Sequence, residues 1–114
     1  MADHSFEFTR AITRRPARSV VDGLRAEDHG TPDFDQMLKD HAHYVATLRE
    51  TGAEIIELPA LDEFPDAVFV EDDALCLKNC AILMRLGAVS RMGEVVMVAP
   101  AIRAQYDDVF EITG

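Results

Sequence analysis

Markers of membrane insertion and of export are missing from this sequence. No apolar run approaches the roughly 18 residues that a bilayer-spanning helix needs. The N-terminus, MADHSFEFTR, lacks the basic segment and apolar core of a secretory signal. Arg14-Arg15 leads into Pro16-Ala17-Arg18 and not into an apolar stretch, which excludes a twin-arginine signal. The sequence therefore predicts a cytoplasmic protein without a membrane partner.

Cysteine is scarce, with Cys76 and Cys80 as the whole complement. Two cysteines do not make a disulfide framework. A C-x3-C pair with no histidine close by in the sequence also offers too few ligands for a metal ion. Because the pair flanks Lys78-Asn79, a predicted hairpin turn, we interpret the two as buried thiols on neighbouring strands, with no metal site.

Positive charge is also in short supply, since 21 acidic residues outnumber 11 basic ones and give a net charge of −10. That balance argues against nucleic acid or an anionic membrane as a partner. It is compatible with a cationic ligand, although acidity also serves solubility. What the sequence does have is 48% hydrophobic residues over 114 positions, enough for one globular domain with a core.

The stretch 65–73, PDAVFVEDD, sets apolar residues between carboxylates at both ends. Burying them beside unpaired carboxylates is costly unless a cation neutralises the charge. A guanidinium is the natural counter-group because it is planar, always charged and bidentate toward carboxylate. The stretch therefore predicts a strand or strand-like turn that delivers carboxylates into a pocket. An ordinary buried strand with solvated ends is the alternative.

A helix is predicted to begin at Thr31-Pro32-Asp33, where Thr can cap and Pro suits the first helical position. Apolar residues then recur at three- and four-residue steps until Gly52, which ends the helix. His41 falls on the apolar side of this helix. Since the sequence names no nucleophile within its reach, we interpret it as a buried, hydrogen-bonded histidine.

The remaining pattern alternates strands and helices. Residues 20–29 predict a loop, and a second helix would be capped by Ser90 and kinked or split by Pro100. The order strand, helix, strand, then two strands, helix, strand predicts an α/β fold, with a ββαβ unit at 73–112 and an approximate copy before it. The predicted strands are residues 6–12, 54–58, 74–77, 80–84 and 109–112.

Two motifs carry a resemblance to a known family. The first is Phe69-Val70-Glu71-Asp72 following Pro65-Asp66, and the second is GAVSRMGE at residues 87–94. Together with DHAHYV on the first helix and IELP after it, they resemble the dimethylargininases, or dimethylarginine dimethylaminohydrolases. The resemblance runs from about residue 6 to residue 114.

This resemblance implies a pentein fold, an α/β propeller in which five ββαβ modules surround a central active site. The chain would supply about two of the five modules, at residues 1–60 and 61–114, as a single N-terminal segment. The family hydrolyses methylated arginine to citrulline and an alkylamine through a covalent Cys intermediate and without a cofactor. The implied partner is therefore a small cationic amino acid.

The resemblance also implies a clamp for the substrate. Asp72 and Glu71 would hold the substrate guanidinium, with Phe69 packing beside it. Arg91 would bind the α-carboxylate bidentately, as arginine does well.

The amino-acid end of the substrate would also meet Asp66 and the loop around Leu24, with Leu24 acting in a mobile lid. In the family the nucleophilic Cys, the His base and a supporting Glu lie in later modules. Neither Cys76 nor Cys80 takes the nucleophile's place, and His41 is a framework position. No catalytic residue is therefore expected here, and the chain alone should not turn over.

Two functional hypotheses remain open. In the first, the chain is the N-terminal part of a dimethylargininase-like hydrolase, whose open ring would expose sheet edges and favour self-association. In the second, it is a free-standing, non-catalytic pentein-like module that oligomerises or binds an arginine-type ligand. An arginine deiminase-like activity is a further alternative, because methyl groups alone separate the two substrates.

Overall fold

The computed structural model describes residues 8–25, 27 and 29–113, and this part of the chain contains five strands and two α-helices. The chain divides into two compact units, the first ending at Val68 and the second beginning at Phe69. The predicted modules at 1–60 and 61–114 stay a prediction. No helix in the described residues is long and apolar enough to cross a membrane.

The first unit is built on a parallel strand pair. Strand β1 (Arg10–Arg14) lies beside strand β2 (Glu54–Leu58) with Ile12 opposite Ile56. Parallel neighbours need a crossover connection, and helix α1 (Phe34–Glu50) lies within it. β2 has the predicted bounds. The first predicted strand started too early, since β1 begins at Arg10, and Phe6 lies outside the described residues.

The ends of α1 follow from local chemistry. Asp33 is the N-cap, because its side chain accepts a hydrogen bond from the Gln36 amide at 3.1 Å. The predicted cap at Thr31 is therefore wrong by two residues, and Pro32 lies outside the helix. Gly52 follows the helix with φ of 91°, a left-handed conformation that glycine adopts without a steric penalty. The predicted helix end is confirmed.

The second unit holds a three-stranded sheet in the order β3-β4-β5. Strand β3 (Ala74–Cys76) and strand β4 (Cys80–Leu83) form an antiparallel hairpin. Helix α2 (Glu94–Gln105) then leads to strand β5 (Asp108–Glu111), which runs parallel to β4. The ββαβ order predicted for this part of the sequence is confirmed, whereas the described elements of the first unit give βαβ.

The predicted hairpin turn at Lys78-Asn79 is confirmed, since the Leu77 amide donates to the Cys80 carbonyl at 2.9 Å across it. Both cysteines are free and lie on neighbouring strands. The expectation that both are buried is wrong, because Cys76 is exposed and Cys80 half-buried. β3 is an edge strand of this sheet, so little covers its last residue.

The acidic stretch is a turn and not a strand. Residues 65–68 form a turn and Val70–Asp72 a 3₁₀ turn, with the Asp72 amide bonded to Phe69 and the Asp73 amide to Val70. These two bonds close within the segment itself, so both amides are satisfied without a neighbouring strand. The residues 20–29 predicted as loop likewise begin inside a 3₁₀ turn, Arg18–Asp22.

The predicted start of the second helix is wrong, and so is the prediction that Pro100 splits it; a kink at Pro100 stays a prediction. Ser90 lies in a 3₁₀ turn, Val89–Arg91, and the N-cap of α2 is Gly93. α2 continues through Pro100 without a break. Val98 and Ile102, on either side of the proline, are buried, and their packing outweighs the hydrogen bond that proline removes.

Leu83 and Leu75 test where the core of the second unit lies. They occupy the paired strands β4 and β3, but Leu83 is 1% exposed and Leu75 49%. Leu83→Ala should lower the free energy of unfolding by about 2–5 kcal/mol through lost contacts and a cavity. Leu75→Ala should cost about 1 kcal/mol or less. Urea unfolding followed by circular dichroism measures both, and equal losses would contradict the described core.

Candidate functional site

Arg91 is the centre of an ion-pair cluster in the second unit. Its Nε and Nη2 donate to the two carboxylate oxygens of Glu94 at 2.9 and 3.0 Å, a bidentate geometry. Its Nη1 donates to Asp72 Oδ2 at 2.8 Å, and Nη2 also reaches the Phe69 carbonyl at 3.2 Å. One guanidinium thus joins the 3₁₀ turn of the acidic stretch to the first residue of α2.

Burial differs sharply among the members of this cluster. The side chain of Glu94 is 1% exposed, that of Arg91 13% and that of Asp72 50%. The hydrogen bonds with Glu94 raise the pKa of Arg91 above its ordinary value; burial opposes this shift, and Asp72 adds to it. The guanidinium is therefore always charged. Because it faces two carboxylates, the cluster is net negative and suits a cationic ligand at its exposed side.

A second carboxylate is held in the first unit. Asp66 is 5% exposed, and both of its oxygens accept from the Leu24 amide, at 3.2 and 3.1 Å. The contact is close, since a Cβ at Gly23 would lie 2.5 Å from Asp66 Oδ1. The structure therefore brings together the two residues predicted for the amino-acid end of a substrate. The side chain of Leu24 is exposed.

The other predicted clamp residues lie in the second unit. Phe69 is exposed and meets Arg91 through its backbone carbonyl, whereas Glu71 is exposed within the same 3₁₀ turn as Asp72. Three of the predicted residues, Phe69, Asp72 and Arg91, are thus in mutual contact through the guanidinium. Their roles toward a substrate stay predictions.

Sequence reasoning missed Glu94, which the motif GAVSRMGE contained without a role. Two signals pointed to it. Glu94 stands three residues after Arg91, a spacing at which helical side chains meet. It also begins a helix, where a carboxylate is favoured by the backbone dipoles. Neither signal reveals from sequence that the side chain is buried.

His41 and Cys76 have environments unlike those of an activated base and nucleophile. His41 is half-buried in a groove of the first unit lined by Leu38, Val45 and Glu57 among others. Burial lowers the pKa of His41, with Glu57 opposing the shift. Burial raises the pKa of the Cys76 thiol, although a hydrogen bond with Tyr106 opposes the rise.

Within 8–25, 27 and 29–113, no group of three or more His, Cys, Asp or Glu side chains is arranged to hold a metal ion.

Known proteins resemble the chain over most of its length. The N(G),N(G)-dimethylarginine dimethylaminohydrolase of Pseudomonas aeruginosa is 42% identical over 99 residues, which are 87% of this chain and 39% of that protein. Its namesake in Streptomyces coelicolor is 34% identical over 94 residues, 82% of this chain and 36% of that protein. The chain thus spans less than two fifths of these curated relatives. No protein-family model matches it.

Solved structures also resemble the chain over most of its length. A mutant of the Pseudomonas aeruginosa protein complexed with citrulline has a TM-score of 0.88 at 41% identity, covering 90% of this chain and 41% of that one. Unliganded AgrE has a TM-score of 0.78 at 20% identity, covering 90% of this chain and 15% of that one, which is a likeness of fold alone. The predicted α/β class and its likeness to pentein-type proteins are therefore confirmed.

Gly23→Ala tests the contact between Asp66 and the Leu24 loop. Its φ of −66° is open to any residue, so the cost is steric: the new Cβ would lie 2.5 Å from Asp66 Oδ1 and 3.1 Å from the Val20 carbonyl. We expect a loss of about 1–3 kcal/mol in unfolding free energy, and faster hydrogen exchange at the Leu24 amide.

Gly87→Ala is the matched control, because nothing lies within 4 Å of a Cβ at that position. It should be neutral or stabilise by up to about 1 kcal/mol. If the two alanine variants unfold at the same urea concentration, the close approach at Gly23 is contradicted.

Proposed function

The chain belongs to the dimethylarginine dimethylaminohydrolase family, and we propose that it forms the N-terminal part of a hydrolase that converts methylated arginine to citrulline and an alkylamine. The observation that carries the proposal is the 42% identity over 99 residues with a protein of that name. A homologous structure complexed with citrulline, the ureido product of the proposed reaction, supports an arginine-type amino acid as the ligand class. The segment would be about two of five ββαβ modules in a ring.

The guanidinium of the substrate would bind at the exposed side of the acidic turn. Asp72 is half-exposed and Glu71 lies beside it in the same 3₁₀ turn. Two adjacent carboxylates suit a planar cation with several N–H donors. The exposed ring of Phe69 adds an aromatic face on which such a cation can stack.

Arg91, in the second unit, would bind the α-carboxylate of the substrate. Arg91 Nη1 donates to Asp72 in this structure, and an α-carboxylate would accept from the same Nη1 beside Asp72 while the pairing with Glu94 is kept. Asp66 accepts from a backbone amide, and a substrate ammonium is a donor of the same kind. Leu24, with its exposed side chain, would cover the ligand as a lid.

The chemical step would use residues outside this segment. A covalent Cys mechanism needs a thiolate beside a general base. The pKa of Cys76 is raised by burial, the opposite of what an activated nucleophile requires. The curated relatives are more than twice as long as the matched region, which leaves room for the nucleophile, the His base and the remaining modules.

Methylated arginine is favoured over plain arginine as the substrate. The relatives at 42% and 34% identity carry the dimethylaminohydrolase name. AgrE, solved in complex with L-arginine, is 20% identical and supports the fold alone. The alternative of a free-standing binding module has no observation of its own in its favour.

Asp72→Ala tests the proposed clamp. Isothermal titration with dimethylarginine should show binding to the wild-type chain that weakens about tenfold or more in the variant, because a charge-assisted hydrogen bond is lost. Asp107→Ala removes an exposed carboxylate elsewhere in the same unit and should leave the affinity within about twofold. Absence of binding to a folded wild-type chain would contradict a clamp in this segment.

An assay for citrulline on the same samples addresses catalysis. The chain alone should bind dimethylarginine but form no citrulline above the blank, since the proposed nucleophile and base lie elsewhere. Citrulline formation by this chain alone would overturn the assignment of the chemistry to other residues, whereas it would support the family activity.

A further inference from the structure

We infer that Glu94 is a positioning residue of the ligand site: it fixes Arg91 and, through Arg91, the carboxylate of Asp72. The inference rests on the proposed function, because it assigns a role in binding a guanidino amino acid. Glu94 itself is 1% exposed and touches Arg91, so it acts on a ligand through its neighbour.

The geometry of the pair restricts Arg91 to one orientation. Glu94 Oε2 accepts from Nε and Oε1 accepts from Nη2, so two points on one edge of the guanidinium are held. Because the guanidinium is planar and held at two atoms, it cannot rotate about the bonds of the arginine side chain without breaking one of the two hydrogen bonds to Glu94. The Nη1 corner is then directed at Asp72 Oδ2, 2.8 Å away.

Glu94 and Arg91 lie on elements that are packed to different degrees. Glu94 is the first residue of α2, which is anchored by the buried Val98 and Ile102. Arg91 lies in a single 3₁₀ turn beside the exposed Val89. A side chain on such a turn needs an external contact to hold its position, and a carboxylate on a packed helix provides one. Helix α2 therefore holds Glu94 in place, Glu94 orients Arg91, and Arg91 in turn orients Asp72.

A contribution to folding stability does not by itself explain the pairing of Arg91 with Glu94. A buried ion pair often contributes no more to folding than apolar side chains of the same volume would. What an apolar pair cannot do is donate to Phe69 and Asp72, the two ends of the turn that carries the proposed guanidinium site. The geometry therefore points to a role in shaping that turn for its ligand.

The test compares Glu94→Gln with Glu111→Gln in the 114-residue chain. Glu111 also accepts from an arginine, Arg103, at 3.0 Å, but both side chains are about half-exposed. The first measurement is water exchange of the Arg91 Nε–H signal in a ¹⁵N-labelled sample. The second is the affinity for dimethylarginine by isothermal titration, with circular dichroism to establish folding.

In the wild type, the Arg91 Nε–H should exchange more slowly than that of an exposed arginine such as Arg10. Glu94→Gln should accelerate this exchange and weaken dimethylarginine about tenfold or more. Glu111→Gln should change neither by more than about twofold. An unprotected Arg91 Nε–H in the wild type, or unchanged affinity in a folded Glu94→Gln chain, overturns the inference.

Glu94→Asp serves if the glutamine variant does not fold. It keeps the charge beside Arg91, but its shorter side chain cannot span Nε and Nη2 together. We expect a folded chain with faster Nε–H exchange and weaker binding, and retention of full affinity despite faster exchange would overturn the role in ligand binding. A wild-type chain that binds no dimethylarginine overturns the proposed clamp and the ligand-binding role of Glu94, while the exchange measurement still decides whether Glu94 orders Arg91.

Discussion

A buried carboxylate must be satisfied, and that constraint organises the second unit. Glu94 is almost fully removed from solvent, so its charge requires a cation with donors for both oxygens. Arg91 provides them through one edge of its guanidinium, Nε and Nη2, and the remaining Nη1 corner reaches the acidic turn. The acidic turn and the start of α2 are therefore bonded to the same group.

The first unit also contains a buried carboxylate, which is held by a backbone amide. Asp66 is also buried, yet both of its oxygens accept from a backbone amide, that of Leu24. A backbone donor has no side-chain freedom to lose, but it requires the chain to approach closely, and Gly23 allows that approach. The Arg91 guanidinium binds a carboxylate through opposite charge, whereas the Leu24 amide binds Asp66 because the backbone passes close to it. Both arrangements fix acidic groups within their own unit.

The sequence predicted the elements whose signals are local. β2, the turn of the β3-β4 hairpin and the end of α1 at Gly52 follow from strand-forming runs, turn residues and a glycine stop. For the acidic stretch it predicted a strand or a strand-like turn, and the turn is what forms, with backbone bonds that close within the stretch. It failed where distant contacts decide. Glu94 is not recognisable as a site residue from its spacing, because burial depends on the packing of the whole unit.

Recognition of methylated arginine has two parts, which are binding of the positive guanidinium and discrimination of its methyl groups. Two exposed carboxylates and an aromatic ring suit the flat, positive guanidinium, so this segment would set the ligand class by charge and shape. Methyl groups on that guanidinium carry no charge, and their recognition needs an apolar surface fitted to their size. Carboxylates 71 and 72 supply none, so under the proposed function a preference for methylated arginine would depend on the ring of Phe69 and on residues outside this segment. The carboxylates would thus select for a cationic amino acid, and the apolar surfaces around them would select for its methylation.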